Sequence, residues 1–213
     1  MKAGFTFLLG LTDRSGSMSS ILSDMQNGFN YFVKEQKDVP GECHFRHIQF
    51  DWAFPTGYEL VYDGPIADAP LWALVPRART ALWDAQGTAI TDLGKDLANM
   101  AEDERPEKVV VMTVTDGEEN ASMYWTGPKV ARLVRQQAEE WNWQFLYLGA
   151  NQDAINEAGK IGIPDTSALT FVPTAAGIAS AYQSASASVS NYRMGNTNST
   201  QFTPADRQAA TQQ

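Results

Sequence analysis

Asp13, Ser15 and Ser17 stand at alternate positions in Asp-Arg-Ser-Gly-Ser, and Thr80 and Asp116 follow in separate segments. All five side chains offer oxygen, the donor that suits Mg²⁺ or Ca²⁺ and suits zinc or copper poorly. Neutral hydroxyls can coordinate an ion without cancelling its charge. Carboxylates held back behind water orient the ion and leave it electrophilic. An anionic oxygen from another molecule could then complete the shell. Ser, Gly and Asp also crowd ordinary capped turns, so the chemistry depends on which elements carry these residues.

The stretch from Gly4 to Thr12 is a continuous apolar, β-favouring run ending in Asp13, the pattern of a strand buried on both faces. The run from Lys108 to Thr115 repeats the pattern and ends in Asp116. After the first run, Met18, Ile21, Leu22, Met25, Phe29, Phe32 and Val33 recur at helical spacing. Ser17 is placed to cap that helix, and Gly28 within it costs ~1 kcal/mol against Ala. Residues 43 to 50 and 58 to 62 read as strands. The Phe54-Pro-Thr-Gly57 link between them is too short for a crossover, so they form an antiparallel hairpin with the third strand at an edge.

Helical spacing returns from Leu82 to Met100, and residues 102 to 107, with Pro106, read as a charged turn. Pro128 opens a further helix with Val130, Leu133, Val134 and Trp141 on one face and Thr126 as its cap. Residues 143 to 148 predict a strand closed by Gly149-Ala-Asn151. A short helix with Ile155 and Ala158 follows, then a brief strand at 169 to 172 and an Ala- and Ser-rich helix from Thr174 to about Tyr192. The small residues of that last helix suit close packing. Residues 193 to 213 read as a polar tail in which Phe202-Thr-Pro204 opens one more helical turn.

Alternating strands and helices predict one α/β domain over residues 1–192. Its sheet is a doubly wound, Rossmann-like open sheet, mostly parallel with one antiparallel edge strand and helices on both faces. Right-handed crossovers on opposite faces set the strand ending at Asp116 beside the strand ending at Asp13. Ligands of such sheets bind beyond the carboxyl ends of the strands where the connections diverge. Both carboxylates then face one crevice.

The chain has 213 residues, 43% of them hydrophobic and 19% charged, a globular balance, with a net charge of −9. That acidity argues against nucleic acid or an anionic membrane as partner. Cys43 is the lone cysteine, so neither an internal disulfide nor a thiolate zinc site is expected. No stretch approaches the roughly 20 apolar residues of a membrane span, and the apolar start is too short to read as a signal peptide. A soluble cytoplasmic protein is the expectation.

Other residues invite chemistry and admit plainer readings. His44 and His47 point to opposite faces of a strand, so joint metal ligation is not expected. Glu118 and Glu119 could enlarge a cation site or complement a helix start. Asn151 could line the rim or cap a helix. Trp52, Trp72, Trp83 and Trp125 fall in or near loops, where they could form a contact surface or pack over sheet edges. No general base stands near the carboxylates, and no nucleophile elbow or phosphate-binding glycine loop is present, so an enzyme is not expected.

Asp13-Arg-Ser-Gly-Ser17 resembles the D-x-S-x-S signature of von Willebrand factor A domains. Arg79-Thr-Ala-Leu-Trp-Asp84 resembles the family's Gly-Gly-Thr-Ala-Leu-Tyr-Asp loop, and Thr115-Asp116-Gly117 resembles its second aspartate motif. Residues 115–122 and 145–154 further resemble small single-domain members from bacteria and bacteriophages, and the likeness runs from about residue 3 to 192. The resemblance implies a metal-ion-dependent adhesion site. Ser15, Ser17 and Thr80 would bind the ion directly, and Asp13 and Asp116 partly through water. The ion would be Mg²⁺, with Ca²⁺ or Mn²⁺ as alternatives, and a protein partner would supply an Asp or Glu carboxylate. A structural or assembly role, as in a virion, is the alternative. Arg79 stands where the family has glycine. It either lies at the rim, where it could attract a carboxylate, or alters the loop and displaces Thr80.

Overall fold

Six strands form a single sheet in the order β3-β2-β1-β4-β5-β6. The structure, a computed structural model, describes residues 1–54, 57–150 and 153–212. The strands are β1 (Lys2–Asp13), β2 (Glu42–Phe50), β3 (Glu59–Pro65), β4 (Pro106–Thr115), β5 (Gln144–Ala150) and β6 (Ala168–Phe171). The helices are α1 (Leu22–Lys37), α2 (Leu82–Asn99), α3 (Gly127–Trp141), α4 (Ala154–Lys160), α5 (Ala175–Arg193) and α6 (Pro204–Thr211). All neighbouring strands are parallel except β2 and β3. The doubly wound α/β reading with one antiparallel edge strand therefore holds.

The central strands are apolar throughout because both of their faces are covered. Leu8, Val110, Met112 and Leu146 face a core built with α1 and α5, while Phe7, Leu9, Val109 and Val111 face a second core built with α2, α3 and α4. The alternation follows the two-residue period of a strand. Gly28 has a packing reason: a β-carbon there would lie 2.2 Å from the Tyr182 ring, so α1 and α5 meet only because position 28 lacks one. The thin α5 thus makes its close approach to α1. Gln36 strengthens the contact by donating to Ser186 O and to the Ser190 hydroxyl.

Several local expectations give way to tertiary packing. Ser17 does not cap α1: it lies inside a 3-10 helix, Gly16–Ile21, and α1 begins at Leu22. Thr126 precedes α3 without using its hydroxyl as a cap, and Trp141 is 53% exposed rather than on the buried face. In α4 the buried residues are Ala154, Glu157 and Ala158, while Ile155 faces outward. Pro106 opens β4 rather than ending a turn. Residues 193 onward are polar yet packed. Phe202 is buried, Val172 N donates to Ala210 O, and Arg207 donates to Ala168 O and Asp165 O. No helix among the described residues is long and apolar enough to cross a membrane.

Candidate metal centre

β1 and β4 lie side by side in parallel register, so their carboxyl ends emerge together and their connections part there. Asp13 closes β1 and is fully buried; Asp116 follows β4 and is half-buried. One Asp13 oxygen accepts from Ser15 N at 2.6 Å, and the other accepts from Thr115 Oγ1 at 2.6 Å. Ser15 and Ser17 hydroxyls lie 3.0 Å apart, and Ser17 donates to Asp116 Oδ1 at 2.7 Å. A β-carbon on Gly117 would lie 3.3 Å from Thr80 Oγ1 and 3.7 Å from Ser17 Oγ. The bare glycine thus keeps open the space on which those hydroxyls converge. All five residues picked from the sequence come together at this one end of the sheet.

Two acids outside the expected set fix the loops. Asp84, buried in the first turn of α2, accepts from the backbone N–H groups of Met123, Tyr124 and Trp125 at 2.8, 3.0 and 2.7 Å. In return Glu119 accepts from Trp83 N at 2.9 Å, at the opening of α2, and from Ala121 N and Ser122 N. Asn120 joins the strap by accepting from Thr80 N through Oδ1 and donating its own N–H to Thr80 O. The threonine loop and the Asp116 loop are thereby tied to each other at several points. Glu119 thus complements a helix start and is spent on backbone groups. Asp84 was legible only as the last residue of the Thr-Ala-Leu-Trp-Asp pattern.

Another buried acid, Asp51, follows β2. It accepts from Ala53 N and pairs with Arg77 at 2.7 Å. Arg14, buried between Asp13 and Ser15, reaches Glu59 at 2.7 Å and Val75 O at 3.2 Å. These contacts pin residues 74–80 against the end of β1. Within that segment the left-handed conformation falls on Ala78, at φ 58°, not on Arg79. Arg79 is exposed and donates to Asn120 O, so its substitution for glycine places no strain on the threonine loop.

Burial pushes the Asp13 carboxyl up to about 7; hydrogen bonds from Thr115 and Ser15 oppose the shift, and the charge of Asp116 adds to it. Burial raises Asp116 as well, against the hydrogen bond from Ser17. Among the described residues no cationic side chain pairs with either carboxylate. A buried and a half-buried acid beside three hydroxyls, with no lysine or arginine among the described residues to neutralise them, are a set that a hard cation fits. No group of three His, Cys, Asp or Glu residues placed to hold a metal occurs among the described residues, as expected of a site built largely from hydroxyls.

The histidines take no part. His44 stacks on Phe7 and pairs with Asp63, while His47 lies on the opposite face among Phe29, Phe45 and Trp72, bonded to Thr12. Burial pushes His47 down to about 3. Asn151 lies outside the described residues. Trp72 is buried, Trp83 and Trp125 pack against the second core, and Trp52 is 55% exposed.

No family model matches the sequence. No curated protein matches it either. Solved structures do match in fold. Proximal thread matrix protein 1 from the mussel byssus aligns at a TM-score of 0.63 and 15% identity, covering 88% of this chain and 46% of its own. A further structure of that protein, described as having a zinc-occupied MIDAS motif, aligns at 0.53 and 16%, covering 80% and 41%. The von Willebrand factor type A protein from Catenulispora acidiphila aligns at 0.59 and 16%, covering 87% and 43%. The vWF domain of the type V pili tip protein Mfa5 from Porphyromonas gingivalis aligns at 0.61 and 11%, covering 86% and 94%. The chain spans less than half the length of the mussel and Catenulispora proteins. With its sheet order, its crossovers and these neighbours taken together, the chain has the von Willebrand factor A fold.

Proposed function

We propose that the protein is a divalent-cation-dependent binding module that captures an acidic side chain of a protein partner. The observation that carries this reading is the meeting of Ser15, Ser17, Thr80, Asp13 and Asp116 at the carboxyl ends of β1 and β4, with no neutralising cationic side chain among the described residues. The three hydroxyls would hold the ion, with the two carboxylates acting partly through water. Mg²⁺ is the proposed ion, with Ca²⁺ or Mn²⁺ as alternatives, and the described zinc-occupied MIDAS motif of the mussel protein supports a divalent ion in this fold. When bound, the cation supplies an electrophilic position for an incoming carboxylate. Neither histidine stands at the site to serve as a general base, which supports binding rather than catalysis.

Calorimetry with Mg²⁺, Mn²⁺ and Ca²⁺ tests the site. Asp116→Ala is expected to lower metal affinity by at least about tenfold, and equal affinity in the two proteins would sink the assignment. A chelator separates capture from a purely structural ion, such as one bracing a virion or assembly component. Partner binding lost at an unchanged melting temperature supports capture, whereas loss of the fold supports the structural role.

A further inference from the structure

The end of the molecule that carries the candidate metal centre also carries exposed apolar side chains on three of the loops around it. Trp52, Val75, Met123 and Tyr124 are 55%, 61%, 70% and 69% exposed. Isolated exposed apolar residues are ordinary, but these four stand on loops that converge on the single segment Ala78-Arg79-Thr80. Trp52 N donates to Arg79 O at 2.8 Å, on one side. On the other, Asn120 pairs with Thr80 and accepts from Arg79, three residues before Met123. Val75 belongs to the stretch that Arg14 pins to the end of β1.

These side chains are presented on fixed backbone. The N–H groups of Trp52, Met123 and Tyr124 are all bonded, the last two to the buried Asp84 carboxylate. Large apolar side chains held ready in this way lose little freedom when a partner covers them, the property that makes an interface anchor effective. Charge narrows the choice of partner. Arg79 is exposed and forms no ion pair among the described residues, with one N–H engaged by Asn120 O. A guanidinium beside a cation site favours an anionic group, and the apolar collar favours bulky neighbours to that group.

We infer that the ligand of this face is a protein segment in which an Asp or Glu is flanked closely by large apolar side chains, with Trp52, Met123 and Tyr124 covering those neighbours. The inference rests on the cation-dependent reading above and adds the partner's sequence character to it. A displayed library of short peptides with a fixed central Asp, selected with Mg²⁺ or with chelator, tests it. Trp52→Ala and Tyr124→Ala serve as variants, and Leu60→Ala, exposed on the edge strand β3, as control. Calorimetry with Mg²⁺ alone is run on every protein first.

The wild type is expected to select aromatic or large aliphatic residues beside the Asp, in Mg²⁺ and not in chelator. Both collar variants should keep Mg²⁺ affinity within about twofold and lose affinity for the selected peptides by about tenfold or more; Leu60→Ala should change neither. Mg²⁺ binding with no peptide selected, with no apolar preference, or with full peptide affinity in both variants would overturn the inference while leaving the metal centre standing. A wild type that binds no metal fails at the calorimetric step, and both readings then fall together.

Discussion

Asp13 is a carboxyl group placed where a proton and a cation compete. With its pKa pushed up to about 7 by burial, it holds a proton in the folded protein through a range where the unfolded chain has lost it. Without a cation, stability therefore declines as pH rises from the ordinary carboxylate value of about 4 toward 7. A cation reverses this by taking the proton's place. Metal affinity is expected to weaken by up to about tenfold per pH unit below 7 and to level off above it; calorimetry at several pH values reads this directly, and an Asp13→Asn variant should keep only the weaker dependence that Asp116 contributes. At this scale the sequence was legible in type and silent on environment. Five oxygen donors could be picked out, but burial of Asp13 and the absence of a cationic partner among the described residues are properties of the packed chain. The strained backbone position likewise belongs to Ala78, because Gly16 N donates to its carbonyl and holds it there.

Elements position these residues through reciprocal caps. Asp84 from α2 satisfies three N–H groups of the loop after β4, and Glu119 from that loop satisfies an N–H at the start of α2. Asp84→Ala removes three charged-acceptor hydrogen bonds at once and is expected to cost about 2–4 kcal/mol, measured by denaturant unfolding. Glu118→Ala, on the exposed side of the same loop, should change stability by less than about 0.5 kcal/mol. Strand positions were legible because both faces of β1 and β4 demand apolar residues. Helix starts were legible at Leu82, Thr174 and Pro204, but the start of α1 was not. Ser17 has the local look of a cap, but its hydroxyl goes to Asp116, far along the chain, and that contact outcompetes the local one. Trp141 follows the spacing of its helix yet lies on the last turn, beyond the reach of the core.

The whole molecule is two cores on one sheet, and the adjacency of β1 and β4 followed from right-handed crossovers on opposite faces. What composition hid was the use of residues 193 onward. Their contacts are made largely by backbone groups and by Arg207, with few apolar anchors, so a count of hydrophobic residues could not detect them. Phe202 is the main anchor, buried at 5% exposure. Phe202→Ala is expected to destabilise the protein by about 3–5 kcal/mol in a thermal or denaturant melt. An unchanged melt would return these residues to the status of a tail.

The adjacency of β1 and β4 has a kinetic consequence. Asp13 and Asp116 are brought together only by a pairing that spans nearly half the chain, with α1, β2, β3 and α2 lying between them in sequence. Loop closure over such a separation carries a large entropic cost before any contact rewards it. The cation therefore cannot template this fold in the way an ion bound by one short loop could. Its uptake during refolding would report molecules in which β1 and β4 have already paired.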